Sequence, residues 1–145
     1  MLGRLAKWLR LAGYDTLYDA KLDDNELVRR SRLTGRVVLT RDHELASRPR
    51  VHSLLVQSDD VQEQMMQVLS AFPLSPDWQD RSRCPEDNAI LEDADKYEVE
   101  GLVPTYVWVN YERFQRCPKC KRVFWPGTHW QSINRRLSTM VGRVC

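Results

Sequence analysis

Two short peptides carry the most explicit chemistry in this 145-residue chain. Cys117-Pro118-Lys119-Cys120 has the CxxC spacing that lets two thiolates grip one tetrahedral cation, a spacing that redox sites also use. Cys84-Pro85-Glu86-Asp87-Asn88 has the same form, with Asp87 where a second cysteine would be expected. Cys84, Asp87, Cys117 and Cys120 therefore form a candidate zinc site, and His129 and Cys145 are alternatives to Asp87 as the fourth ligand. The competing reading is a loop pair that has lost its metal and survives on packing. A thiol oxidoreductase using Cys117 and Cys120 fits less well, because this CxxC does not open a helix after a strand.

A second constellation is acidic. Val37, Val38 and Leu39 suit a strand buried on both faces, and Thr40-Arg41-Asp42-His43-Glu44 follows directly. In parallel sheets, polar residues just past the C-terminal strand ends converge on one edge. Asp42 and Glu44 belong there, and so do Asp23 and Asp24 if Tyr14–Tyr18 is a strand. Carboxylates repel one another unless a cation sits among them, and hard oxygen ligands suit Mg²⁺ or Mn²⁺. Such ions activate water and steady the leaving oxygen in phosphodiester cleavage. Asp24, Asp42 and Glu44 are the candidate catalytic acids. The competing reading is that Asp23 or Asp24 caps one helix and Asp42 caps another at His43–Ser47.

The third constellation is cationic and aromatic: KRVFWPGTHW over residues 121–130, followed by Arg135 and Arg136. Arginine and lysine contact phosphates, and exposed rings stack on unpaired bases. Lys121, Arg122, Arg135 and Arg136, with Arg41 and the Arg4, Lys7, Arg10 series, are candidate contacts to nucleic acid. Phe124, Trp125 and Trp130 equally suit a small core.

The elements that would position these groups read as a strand–helix alternation. Leu2, Leu5, Trp8, Leu9 and Ala12 recur at helical spacing, and Gly13 is placed to end that helix. Asp23 with Glu26 resembles a capping box, opening a helix from about Asp24 to Thr34 that Gly35 closes. Ser53–Val56 reads as a strand. Asp59 and Asp60 precede a helix whose buried face is Val61, Met65, Val68, Leu69 and Phe72. The expectation is a small parallel sheet with flanking helices over residues 1–76, a linker at 77–83 and a zinc-ribbon-like module at 84–145. That module has strands at Val103–Val109 and Val123–Trp125 and a closing helix at Trp130–Val141. With so little aliphatic repetition it needs a metal staple.

Composition narrows the class. Hydrophobic residues are 42% and charged residues 29%, so the chain is globular rather than disordered. No apolar run approaches the roughly 18 residues of a membrane span. The start is too interrupted by charge for a signal peptide, which favours thiols or metal ligands over disulfides and an intracellular place, cytoplasmic or nuclear. Net charge is +2 but unevenly spread: residues 84–112 hold one base against 8 acids, and residues 113–145 hold 8 bases and no acid. A basic region of that kind suits a polyanion partner.

Together these pieces resemble the Mut-seven C-terminal RNase domain family, a PIN-like nuclease domain fused to a zinc ribbon. The resemblance rests on MLGRLAKWLRLAGYDTLY, Asp24-x-Glu26-Leu27, LTRDHEL at 39–45, Gln64, RCPEDN at 83–88, and CPKC with VFWPGTHW. It implies a metal-dependent ribonuclease fold of the PIN type, and single-stranded RNA is the expected partner. In animals it also implies a place behind a three-prime exonuclease domain. Family members start with a strand whose terminal acid precedes the MLGRLA-like helix, whereas Met1 begins at that helix. The expectation is an N-terminally truncated form lacking its first strand and first acid, with little or no nuclease activity. Glu44 represents the acid after TRD, and Asp87 stands where the family has a cysteine. The alternative is a non-catalytic nucleic-acid-binding or scaffold domain that keeps the fold without the chemistry.

Overall fold

The computed structural model describes residues 2–72 and 82–125. It is a mixed α/β structure in which the chain divides into two compact units. One comprises Met1–Leu5 with Leu17–Leu74, the other Ala6–Thr16 with Ser75–Cys145. The chain boundary falls inside helix α1 (Gly3–Leu11), and Gly13, at a φ of 100°, follows that helix as expected.

In the first unit, helix α2 (Asp24–Thr34) begins where its sequence says it should. The Asp23 carboxylate accepts the Glu26 N–H at 2.8 Å, and Gly35 closes the helix at φ 72°, with its N–H on the Ser31 carbonyl. Strand β1 (Val38–Thr40) leads through helix α3 (His43–Ala46) to strand β2 (Ser53–Leu55). The two strands pair in parallel, Val38 opposite Ser53 and Thr40 opposite Leu55. Val28, Val38 and Leu45 form one small core beneath α2, with Leu27 and Val51 packed against it. Helix α4 (Val61–Ala71) is capped by Asp60 and buries Met65, Val68 and Leu69, as its periodicity requires. Val61 and Phe72, expected on that face, are only half-buried. Gln64 takes the place between them, buried, with its amide on the Ser58 carbonyl at 2.8 Å.

The second unit holds a three-stranded antiparallel sheet of β3 (Glu92–Ala94), β4 (Phe114–Arg116) and β5 (Val123–Phe124), in the order β3-β4-β5. Val99, Val107 and Phe114 make its larger core, which Trp108 and Trp125 help to cover. Phe124 packs instead on Cys84, Leu91 and Cys117.

Two expectations fail here for physical reasons. Val103–Val109 is not a strand but runs into helix α5 (Thr105–Asn110). Its valines alternate, yet Val103, Val107 and Tyr111 also repeat every four residues and pack on one core, and Pro104 sits where a helix starts. Tyr14–Tyr18 is not a strand either. The Thr16 N–H bonds to the Asn88 side chain at 3.2 Å rather than to a neighbouring strand.

Arg10 is a further departure from a shared basic face with Arg4 and Lys7. A step of three residues falls about 60° short of a full helical turn, so two steps carry Arg10 about 120° around the helix. Arg4 and Lys7 are exposed, whereas Arg10 is buried. Its Nε donates to the Thr16 carbonyl at 2.8 Å and its Nη1 to the Pro85 carbonyl at 2.6 Å. Arg10→Met should therefore destabilise the fold by about 2–4 kcal/mol, because two carbonyls lose a charged donor. Urea midpoints of the two proteins measure this, and an unchanged midpoint would show the guanidinium to be dispensable.

Candidate metal centre

The two loops that hold the cysteines fold alike. Asn88 and Lys121, the fifth residues of the two loops, both have left-handed backbones, with φ of 63° and 66°. The Asn88 N–H reaches the Cys84 carbonyl at 2.8 Å, and the Lys121 N–H reaches the Cys117 carbonyl at 3.0 Å. The Cys84 N–H donates to Ala89 at 2.7 Å, and the Cys117 N–H to Arg122 at 3.0 Å. Each first cysteine thus sits in the same tight turn, closed from both sides. Asparagine tolerates that backbone better than most residues, which is the sequence signal for the first turn.

These turns bring Cys84, Asp87, Cys117 and Cys120 together, with one ligand atom from each lying within 4.8 Å of all the others. Cys84 Sγ is 3.8 Å from Cys120 Sγ, and Asp87 Oδ2 is 3.7 Å from Cys84 Sγ and 3.5 Å from Cys117 Sγ. A tetrahedral cation bonded to sulfur at about 2.3 Å and oxygen at about 2.1 Å needs edges of about 3.8 and 3.6 Å. Those three distances match such edges and the rest lie within 4.8 Å, so the four groups could hold one metal ion.

The electrostatics are those of thiols packed around one carboxylate. Thiol hydrogen bonds, that of Cys120 foremost, hold the Asp87 carboxyl below its ordinary value. Burial pushes the Cys84 thiol up to about 12. Burial acts the same way on Cys117, but the backbone N–H groups of Cys120 and Lys119, with the two neighbouring thiols, outweigh it and hold Cys117 below its usual range. At Cys120 the Arg122 backbone pulls downward, while burial, the Asp87 carboxylate and Cys117 together leave the thiol raised. A bound cation reverses this balance, since a coordinating thiol is deprotonated outright.

Around the loops, Asn88 ties the turn to the rest of its unit through Asp15 at 2.6 Å. Glu86 pairs with Lys7 at 3.1 Å and lies 3.6 Å from Arg122. Two of the candidate RNA contacts, Lys7 and Arg122, therefore share one carboxylate. Lys121 and Arg41 are exposed. Trp130, Arg135, Arg136 and the alternative ligands His129 and Cys145 lie outside the described residues, as do the expected closing helix and most of the linker.

Asp87→Cys should tighten Zn²⁺ binding by roughly tenfold or more, since a fourth thiolate suits zinc better than a single carboxylate oxygen while leaving the site charge unchanged. Competition with a chromophoric chelator reads this, and equal affinities would show Asp87 not to be a ligand.

The acidic residues are arranged differently. Asp42 caps α3, its carboxylate accepting the Glu44 N–H at 2.9 Å, while its own N–H donates to Thr40 Oγ1 at 3.0 Å. Asp24 is the first residue of α2 and leaves the cap to Asp23. All three candidate acids are exposed. Among the described residues Asp24, Asp42 and Glu44 do not form a group like the cysteine cluster. A bond from Arg48, just past α3, to Asn25 at 2.9 Å joins that segment to the start of α2. No described helix is long and apolar enough to cross a membrane.

No curated protein and no solved structure matches this chain. A family model does: the one described as Mut7-C RNAse domain, over residues 1–137.

Proposed function

Because this chain belongs to the Mut7-C RNAse domain family, we propose that it is a PIN-like, metal-dependent ribonuclease module that hydrolyses RNA phosphodiesters. The observation that carries this reading is the family match over nearly the whole chain. It is supported by Asp42 and Glu44 standing just beyond the C-terminal end of β1, the edge of a parallel sheet where sites form.

Mg²⁺ and Mn²⁺ keep much of their water and commonly take only one or two protein carboxylates beside a substrate phosphate, so dispersed acids still suit them. When bound, such an ion supplies activated water and neutralises charge on the leaving oxygen. Asp42 contributes a carboxylate on a fixed backbone, held by Thr40 on one side and by the α3 cap on the other. Glu44 adds negative charge two residues on, and Asp24 adds it at the start of α2.

In this reading the second unit is a zinc-ribbon-like module. Cys84, Asp87, Cys117 and Cys120 hold Zn²⁺, which has a structural role there. The exposed Arg4, Arg41 and Lys121 contact single-stranded RNA. The test is cleavage of a labelled single-stranded RNA with Mn²⁺, with Asp42→Asn as the comparison. Cleavage that persists in the variant would remove Asp42 from the site.

A second reading has its own support. Since the Asp42 carboxylate already serves as a helix cap and the three acids are not gathered, a non-catalytic RNA-binding scaffold fits the same chain. RNA binding without cleavage under any divalent ion would favour it.

A further inference from the structure

The first unit contains a groove that the proposed site does not use. Its volume is about 520 Å³, and it is lined by Asn25, Val28, Arg29, Arg32 and Leu33 of α2 and by Arg48 and Pro49 after α3. The five α2 residues fall at i, i+3, i+4, i+7 and i+8, so they form one continuous helix face. Three of the seven lining residues are arginines and none is acidic.

Two of the three arginines are tied across the groove. Arg32 Nη2 donates to the Pro49 carbonyl at 3.2 Å and Arg48 Nη1 to Asn25 Oδ1 at 2.9 Å, contacts that span the groove. Arg29 lies 3.6 Å from Glu26 on its own helix. A guanidinium presents five N–H donors, so a single bond fixes its direction and leaves it capable of further ones. The surrounding sequence adds to the field. From residue 27 to 58 every basic side chain other than histidine is arginine, seven in all, against Asp42 and Glu44 within the stretch and Glu26 just before it, which pairs with Arg29 and Arg30. Arginine in place of lysine favours the planar, two-point bonding that phosphate oxygens accept.

Resting on the ribonuclease reading, we infer that this groove binds the phosphate backbone of the RNA substrate. Its α2 wall runs about 12 Å from Asn25 to Leu33. That length suits a short run of phosphates, with three arginines set along it. Asn25 adjoins Asp24, so a strand in the groove runs up to one of the proposed acids. The apolar side chains of Val28, Leu33 and Pro49 give the sugar edge a surface to lie on.

The test is binding of a fluorescein-labelled single-stranded oligouridylate, measured by anisotropy across a salt series without added Mg²⁺ or Mn²⁺. The variant joins Arg29→Gln, Arg32→Gln and Arg48→Gln. Affinity should fall at least about tenfold at low salt, and the slope of log affinity against log salt should flatten by about 2, from three lost phosphate contacts. Unchanged affinity and slope would overturn the inference, and so would failure of the unsubstituted protein to bind RNA. Oligoglutamate competing as well as RNA of equal charge would also overturn it, making the groove an acidic-peptide site.

If the triple variant loses its native circular dichroism, Arg29→Glu decides alone. That side chain is 66% exposed, so its replacement tests charge without touching the core. Weaker binding supports the groove, and equal binding removes it. Cleavage, assayed separately with Mn²⁺, keeps the two readings apart. RNA held through the groove but never cut leaves the groove standing without the nuclease. RNA cut by a protein whose triple variant binds normally leaves the nuclease standing without the groove.

Discussion

Cys117→Ser is expected to empty the metal centre and loosen the sheet built beside it. Cys117 is fully buried, it directly follows β4, and it packs with Cys84, Leu91 and Phe124. A structural metal that binds only the folded chain adds about 2.7 kcal/mol of stability at a hundredfold excess over its dissociation constant. In a unit of this size that corresponds to a fall in Tm of roughly 10 °C or more when the metal is lost. Serine cannot replace a thiolate at neutral pH, so the variant should purify with little bound zinc. EDTA should reproduce the fall in the unsubstituted protein and do nothing further to the variant. Elemental analysis together with differential scanning calorimetry checks both halves. A parent protein that holds no zinc, and whose melting ignores chelators, would mean that the cluster is held by thiol–carboxylate hydrogen bonds alone.

The second large effect is on catalysis. Whatever Mn²⁺-dependent RNA cleavage the protein shows, Asp42→Asn should lower it by roughly a hundredfold or more, because a neutral amide is a poor ligand for a hard cation. Tm should barely move. Asp42 caps α3 through the Glu44 N–H, and asparagine caps helices about as well as aspartate does. Asp42→Ala would instead lose the cap, at about 1 kcal/mol, and confuse stability with chemistry. Asp24→Asn serves as a parallel probe, since Asp23 rather than Asp24 carries the cap of α2. Full cleavage in Asp42→Asn would show that the acid beyond β1 acts only as a cap.

What could be read from the sequence was what short-range chemistry decides. Asp23, Asp60 and Gly35 announce the ends of α2 and α4, because each cap closes on an N–H or carbonyl within four residues. The Cys84/Asp87 and Cys117/Cys120 loops announce a cluster that could hold one cation, because each loop sets its own turn, and the two loops then have only to meet. The misreadings arise where a distant partner decides. Tyr14–Tyr18 has β-forming residues, yet Thr16 spends its N–H on Asn88, 72 residues away. Val103–Val109 satisfies two periods at once, and packing on Val99 and Phe114 selects the helical one. Arg10 looked like one more surface cation, and only the Pro85 carbonyl reveals that it is interior structure. The groove of Arg29, Arg32 and Arg48 was not read from the sequence, because two arginines three apart on α2 carry no signal alone and the opposite wall comes from a loop that no local pattern ties to that helix.

The tie between Arg10 and Pro85 also bears on the order of events during synthesis. Arg10 leaves the ribosome 75 residues before its acceptor. At about 5–20 residues per second, that is a wait of roughly 4 to 15 s. Throughout that time Leu9 and Ala12, buried in the finished protein, have no second unit to pack into. The first unit's α2, β1, β2 and α4 are complete by Ala71, before the first cysteine loop is made. The second unit is therefore obliged to fold late, around a segment made early and kept waiting. Closing so long a loop costs only slightly more entropy than closing a short one, so the delay falls on the rate of folding more than on final stability.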